Sequence, residues 1–176
     1  MVFKKFFKKS FEASLEEHLP AIWRFALSMS GRPDVADDLL QATCLRALEK
    51  QEQFIEGSSL IAWLLTICRS IWLNELRSVA VRKTGSLEPA QLNEIASDAS
   101  PVEMNIFASE VYTHMMSLPE AQRETCYLVY VQNFSYREAA ELLDVPIGTV
   151  MSRLATARSK LAPLNDVPSG TRRDNA

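Results

Sequence analysis

Hydroxyls and arginines with no carboxylate among them define the most specific segment of the chain. From Val145 to Pro163 there is no acid, and Gly148, Thr149, Ser152, Thr156 and Ser159 recur on one helical face, flanked by Arg153, Arg158 and Lys160. Such a slim, basic helix suits a major groove, where small side chains permit close approach and Arg reaches base edges or phosphates. Thr149, Ser152, Arg153, Thr156 and Arg158 are therefore the candidate duplex-reading residues, Arg158 lying nearer the buried edge and so assigned to phosphate or packing. The opposite face carries Val150, Leu154, Ala157 and Leu161 for burial. Just upstream, Tyr136, Ala139, Ala140 and Leu143 make a short amphipathic helix, and the small Ala140 lets a second helix cross it closely. Asp144 tolerates the left-handed dihedrals of a sharp turn, Pro146 and Gly148 close that turn, and Thr149 is placed to cap the next helix. The pattern is a helix-turn-helix. A hairpin that merely packs in a bundle would share the apolar stripes but would not need the acid-free face.

A second constellation lies in SLIAWLLTICRSIWLNELR, residues 59–77. Trp63 and Trp72 offer rings that stack on unpaired bases, while Arg69, Asn74 and Arg77 supply donors for a nucleic-acid backbone. Taken alone, tryptophans at helical spacing more often serve a helix core. A third segment, PDVADDLLQATCLRAL, sets Asp37, Asp38 and Gln41 on one helix face with Leu40 or Leu39 at its edge. An acidic and apolar face suits docking on a basic helical partner, and it also fits an ordinary solvated surface.

These segments need helices to hold them. Leu15, Leu19, Ile22, Ala26 and Met29 mark a first helix stopping at Gly31, and Pro33 opens a second with Ala36, Leu39, Leu40, Thr43 and Ala47 as its stripe. Gly57-Ser58-Ser59 interrupts the pattern before a third helix with Leu60, Leu64, Ile67 and Ile71, capped by Ser58 or Ser59. Period-two alternation is absent, so the fold class is all-α. Residues 83–100 are poor in large apolar side chains and rich in turn formers, which reads as a flexible linker. The expected organisation is two small helical domains, 10–82 and 101–163, joined by that linker and followed by a disordered tail over 164–176.

With 176 residues, 47% of them hydrophobic, the chain has material for real cores. Its net charge of −3 hides an uneven distribution: Arg69, Arg77, Arg82 and Lys83 face only Glu75 between Leu64 and Lys83, whereas Thr84 to Gln122 holds no Lys or Arg. Alternating basic and acidic stretches suit a protein that touches both DNA and a basic protein partner. Cys44, Cys68 and Cys126 form no metal-ligand spacing, so no metal or cofactor is expected and reduced thiols are the default, with thiol redox sensing as the alternative. The basic, aromatic start MVFKKFFKKSF has no uninterrupted apolar core and reads as a solvated, partly frayed arm rather than a secretory signal. The run Leu60–Cys68 is too short to span a bilayer, so no membrane insertion is expected and the protein should be soluble and cytoplasmic. No catalytic set is present, and the chain is not read as an enzyme.

In their order along the chain, these segments resemble bacterial RNA polymerase sigma factors of the extracytoplasmic-function group, within the sigma-70 family. PDVADDLLQATCLRAL resembles the region two helix that docks on core RNA polymerase. WLLTICRSIWLNELR is similar to the promoter-melting helix, and residues 118–161 resemble region four in Leu-Pro, the Arg four residues later, Gly-Thr-Val and Ser-Arg-Leu. The chain departs from the family pattern at Asp37, Ala42, Ser70, Asn74 and Thr156, which bears on promoter sequence and binding strength.

The resemblance implies a role for each segment. Asp37, Asp38, Leu40 and Gln41 would bind polymerase, and the Glu56–Ser59 loop would hold an extruded base. Gly57, Ser58, Trp63, Arg69, Ser70, Asn74 and Arg77 would serve the minus-ten element, with region four reading the minus-thirty-five element. It further implies an alternative sigma factor that directs promoter-specific initiation under an anti-sigma factor. The rival readings are a helix-turn-helix regulator acting without polymerase, and a helical adaptor that mimics a sigma factor.

Overall fold

The computed structural model describes residues 2–84 and 113–161, with side chains described from residue 11 onward in the first stretch and up to residue 82. The linker over 83–100, apart from the last helical positions 83 and 84, lies outside the described residues, as do residues 101–112 and the tail over 164–176. Helix α1 spans Val2–Ser30, so the expected frayed arm is instead helical from its second residue. Pro20 within it lies on the exposed side, where the Glu16 carbonyl left without its donor is accessible to water. The helix stops where the spacing places its end. Gly31 adopts φ +71° and donates its N–H to the Leu27 carbonyl at 2.9 Å, the left-handed cap that glycine supplies without strain.

Helix α2, Pro33–Glu49, starts on proline, whose absent N–H is an orphan at that position anyway. It buries Ala36, Leu39, Thr43 and Ala47, leaving Leu40 half-buried at the edge of the face. The Thr43 hydroxyl, buried among apolar groups, donates to the Leu39 carbonyl at 2.6 Å. Helix α3, Leu60–Thr84, begins when the Ser59 hydroxyl accepts the Ala62 N–H at 3.3 Å, so Ser59 rather than Ser58 is the cap. Leu64, Leu65 and Cys68 from α3 close the core against Ile22, Phe25 and Met29 of α1.

Helix α4, Glu120–Cys126, continues into one wider turn over Tyr127–Val131. Helix α5, Tyr136–Leu143, opens with a reciprocal cap: the Ser135 hydroxyl accepts the Glu138 N–H, and the Glu138 carboxylate accepts the Ser135 N–H at 2.8 Å. Asp144 then takes φ 52° and ψ 52°, the left-handed turn anticipated for it. Helix α6, Ile147–Leu161, lays Val150, Leu154 and Ala157 on Ala139, Ala140 and Leu143. Thr149 sits inside its first turn, with its N–H on the Pro146 carbonyl at 2.8 Å, and is not the cap.

All described elements are helical, in two halves. The halves share one core, which periodicity alone did not foretell. Leu118, Tyr127 and Leu128 of the second half join Ile22, Phe25 and Met29 in a continuous buried cluster, with the Phe25 and Tyr127 ring centroids 5.6 Å apart.

Candidate nucleic-acid interface

Two exposed helix faces carry the candidate residues, and a polar seam lies between them. On α6, Gly148, Met151, Ser152, Ala155, Thr156 and Ser159 are exposed, and Thr149 is half-buried. A Cβ built at Gly148 would meet nothing within 4 Å, so the start of the helix is open to a close approach. The Ser152 and Thr156 hydroxyls return to the carbonyls one turn back, at 3.0 Å each, which leaves their oxygen lone pairs outward. Arg158 is exposed, its Nε donating to the Leu154 carbonyl at 3.4 Å. Met151, 51% exposed, belongs to this face and was not picked out in the sequence. The helical spacing that turns Ser152 and Thr156 outward turns Met151 outward as well.

Arg153 does not join that face. Its guanidinium turns back onto α4 and donates to Glu124 Oε1 at 3.3 Å and to the Thr125 hydroxyl at 3.4 Å. Glu124 receives a second arginine from the other half of the chain, as Arg69 Nε donates to its Oε2 at 3.1 Å. The three side chains are 7%, 16% and 21% exposed for Glu124, Arg69 and Arg153. Burial pushes the Glu124 carboxyl upward while the Arg69 and Arg153 guanidiniums pull against it, and desolvation prevails.

On α3 the candidate residues divide. Ser70, Asn74 and Arg77 are exposed, with Arg77 Nη1 donating to the Asn74 side-chain carbonyl at 3.0 Å. Trp63 is half-buried in an aromatic cluster, its ring centroid 6.1 Å from that of Phe11 and 5.5 Å from that of Phe54, so it packs with the core and keeps only part of its surface accessible. Trp72 is half-buried too, and its Nε1 donates to Glu120 Oε1 at 2.7 Å. Before α3, Gly57 takes φ +88° and stands with Ser58 on an exposed loop, where a Cβ on the glycine would meet nothing within 4 Å.

The acidic face of α2 is exposed at Asp37, Asp38 and Gln41, with Leu40 at its rim. Asp37 also accepts the Trp23 indole N–H at 2.7 Å, a fixed orientation that periodicity could not have supplied. Among the described residues no cluster of His, Cys, Asp or Glu is arranged to hold a metal, and no helix is long and apolar enough to cross a membrane.

The sequence marks no functional residue on α4, yet its side chains join the faces. Arg123 donates to the Ser28 carbonyl at 2.7 Å and the Met29 carbonyl at 3.1 Å, closing off the end of α1. Tyr127 Oη donates to the Ala21 carbonyl at 2.7 Å. The only hint was an Arg placed four residues after Leu-Pro.

Comparison with known proteins agrees with this geometry. The family model for Sigma-70 region 2 matches residues 15–82, and that for Sigma-70 region 4 matches residues 109–161. The chain is 37% identical over 146 residues to the ECF RNA polymerase sigma factor EcfG of Rhodopseudomonas palustris, covering 83% of this chain and 80% of that one. It is 34% identical over 157 residues to a probable RNA polymerase sigma-C factor of Mycobacterium bovis, covering 87% and 82%. Among solved structures, the sigma factor RpoE of Bartonella quintana, crystallised with the anti-sigma factor NepR, superposes with a TM-score of 0.69 at 32% identity, over 91% of this chain and 99% of that one. CnrH, solved with the cytosolic domain of CnrY, has the same fold at a TM-score of 0.59 and 23% identity, covering 92% and 90%.

Proposed function

The chain belongs to the extracytoplasmic-function group of RNA polymerase sigma factors, and from that membership we propose how its parts divide the work of initiation. As a sigma factor it is not an enzyme: it carries core RNA polymerase to promoters, and the polymerase performs the chemistry. Region two docks on polymerase through Asp37, Asp38, Leu40 and Gln41, a rigid acidic and apolar face on α2. The edge of α3, with the exposed Ser70, Asn74 and Arg77 and the half-buried Arg69, holds the minus-ten strand after melting. Gly57 and Ser58, on their open loop, receive an extruded base. Trp63 steadies that loop from the aromatic cluster and offers its edge to the base.

Region four reads the minus-thirty-five duplex. The observation that carries this is the face of α6 on which Gly148, Ser152, Ala155 and Thr156 stand exposed without a carboxylate. Thr149 borders the face, Arg158 serves phosphate, and Arg153 supports α6 from behind through Glu124. Met151 and Ala155 add apolar contact of the kind that thymine methyls accept. The protein acts in the cytoplasm, and an anti-sigma factor restrains it. Support for that restraint comes from the likeness to an RpoE that was crystallised with its anti-sigma factor.

The deciding experiment adds the full chain to core RNA polymerase on genomic DNA and maps transcript starts. Starts that share two upstream elements, at spacings that one bound protein could span, are expected. Duplex binding by the chain alone, with no polymerase-dependent transcript, would turn the reading to a conventional regulator.

A further inference from the structure

The first turns of α1 follow a different pattern from the rest of the helix. Among the described side chains the core begins at Phe11, whose ring centroid lies 6.3 Å from that of Phe54 and 6.1 Å from that of Trp63. Residues about seven, eleven or eighteen positions apart fall on nearly one line along a helix. Lys4 thus stands in line with Phe11, Leu15 and Ile22, all buried, and Lys8 in line with the buried Leu15 and Ala26. Phe6 stands in line with Ala13, Glu17 and Arg24, all exposed, and Phe3 and Phe7 fall on the border lines of the half-buried Ser14, His18 and Ala21. Register therefore sets lysines on the lines that the core uses and a phenylalanine on a line that it does not. A core that continued past Phe11 would demand the reverse.

Residues 2–10 instead have an amphipathicity of their own. On the helical period Phe3, Phe6 and Phe7 fall within an arc of about 100°, and Lys4, Lys5, Lys8 and Lys9 fill the opposite side. No acid precedes Glu12. The remaining 15 basic residues of the chain stand against 22 acidic ones, so the rest of the protein carries −7 while this arm carries +4.

We infer that the arm over residues 2–10 is an interfacial helix that lies on an anionic lipid bilayer, with phenylalanines at the acyl boundary and lysines among the headgroups. Charge complementarity selects an anionic surface. Segregation of rings from charges selects a bilayer over a nucleic acid, because a row of phosphates engages the lysines and leaves the phenylalanine face in water. A helix of this length would not hold by itself, since nucleation is costly. Here its turns continue a helix already anchored by Ile22, Phe25 and Met29, so the bilayer need not supply that cost. Ile55, next to Phe54 at the end of the bundle where Phe11 packs, is 74% exposed and adds an apolar contact. The binding is peripheral and weakens with salt.

Co-sedimentation of the full chain with large unilamellar vesicles tests the assignment. Vesicles of phosphatidylcholine with about 30% phosphatidylglycerol should bind the wild type roughly tenfold or more above phosphatidylcholine alone, and about 0.5 M salt should remove most of that gain. Phe3→Ser/Phe6→Ser/Phe7→Ser keeps every charge and should lower the affinity about tenfold. Lys4→Gln/Lys8→Gln should lower it roughly twentyfold, about fivefold for each lysine. Urea midpoints check the bundle, and Phe6→Ser alone takes the place of the triple variant if that midpoint falls. The phenylalanine variant should match the wild type in transcription with core polymerase on lipid-free DNA, so failure of the arm and failure of the sigma-factor reading show separately. Equal binding to the two kinds of vesicle overturns the inference, as does a phenylalanine variant that binds vesicles like the wild type. Lysine substitutions that weaken binding to a fluorescein-labelled, mixed-sequence oligonucleotide but not to vesicles overturn it too, and assign the arm to nucleic acid.

Discussion

Arg153 Nη1 lies 3.3 Å from Glu124 Oε1, so the one arginine in the middle of the recognition helix faces the protein. Replacing it should therefore act on stability before it acts on DNA. Arg153→Ala leaves the buried Glu124 with Arg69 alone and is expected to lower unfolding stability by about 1–3 kcal/mol. Ser152→Ala, at an exposed position, should leave stability unchanged and weaken binding to the minus-thirty-five duplex by about 0.5–1.5 kcal/mol. Urea unfolding and duplex titration of the two variants separate these roles. Equal stability of Arg153→Ala and wild type would return that arginine to the DNA.

The docking face of α2 makes a matched pair of predictions. Asp38→Arg should reduce association with core polymerase and leave the fold intact, since that side chain is exposed. Asp37→Arg should reduce association too, and in addition release Trp23, whose indole N–H lies 2.7 Å from the Asp37 carboxylate. Trp23 fluorescence should shift for Asp37→Arg and not for Asp38→Arg. Polymerase pull-down unaffected by both reversals would make the face ordinary solvated surface.

Thiol reactivity tests the alternative of a redox sensor. Burial pushes the Cys68 thiol up to about 12 and the Cys126 thiol up to about 11, so neither forms thiolate at neutral pH. Cys44 is half-buried and also shifted upward by desolvation. Iodoacetamide at pH 8 should label Cys44 first and slowly, with Cys68 and Cys126 labelled only in denaturant. Rapid native labelling of Cys68 or Cys126, followed by mass spectrometry, would reopen the sensor reading.

The parts of this protein that sequence made legible are those built from local rules. The Gly31 stop, Pro33 at the start of α2, the left-handed Asp144 and the buried stripe of α6 each follow from one residue's dihedral preference or from helical period. The seam was illegible for the opposite reason. Arg123 and Tyr127 find their acceptors 95 and 106 residues away at Ser28 and Ala21, and no local period encodes partners so distant. Trp63 shows the limit for sites: indole spacing favoured the core without excluding the strand, and only the structure gives the contacts with Phe11 and Phe54 that set the ring in an aromatic cluster. Arg153 failed similarly, because a helix period places it beside Ser152 but does not give the direction of a long side chain.

The cap of α5 gives a pH dependence whose sign is fixed by the geometry. The Ser135 hydroxyl and then its backbone N–H bond to the Glu138 carboxylate and hold its pKa below the ordinary carboxylate value. A group whose folded pKa is depressed contributes stability above its unfolded value, near 4.5, and loses it as pH falls through the lower folded value. Glu138→Gln keeps the shape and removes the charge, so the wild type should exceed it in stability at neutral pH. That margin should close on acidification below the ordinary value. Ser135→Ala removes the hydroxyl that accepts the Glu138 N–H and should cost about 1 kcal/mol at neutral pH. The carboxylate of Glu138 would still accept the Ser135 N–H, so part of the pH dependence should survive in that variant. Urea midpoints of wild type, Glu138→Gln and Ser135→Ala between pH 3 and pH 7 read all three expectations. A wild-type margin over Glu138→Gln that stays constant across that range would show that the carboxylate's charge plays no part in holding the helix-turn-helix together.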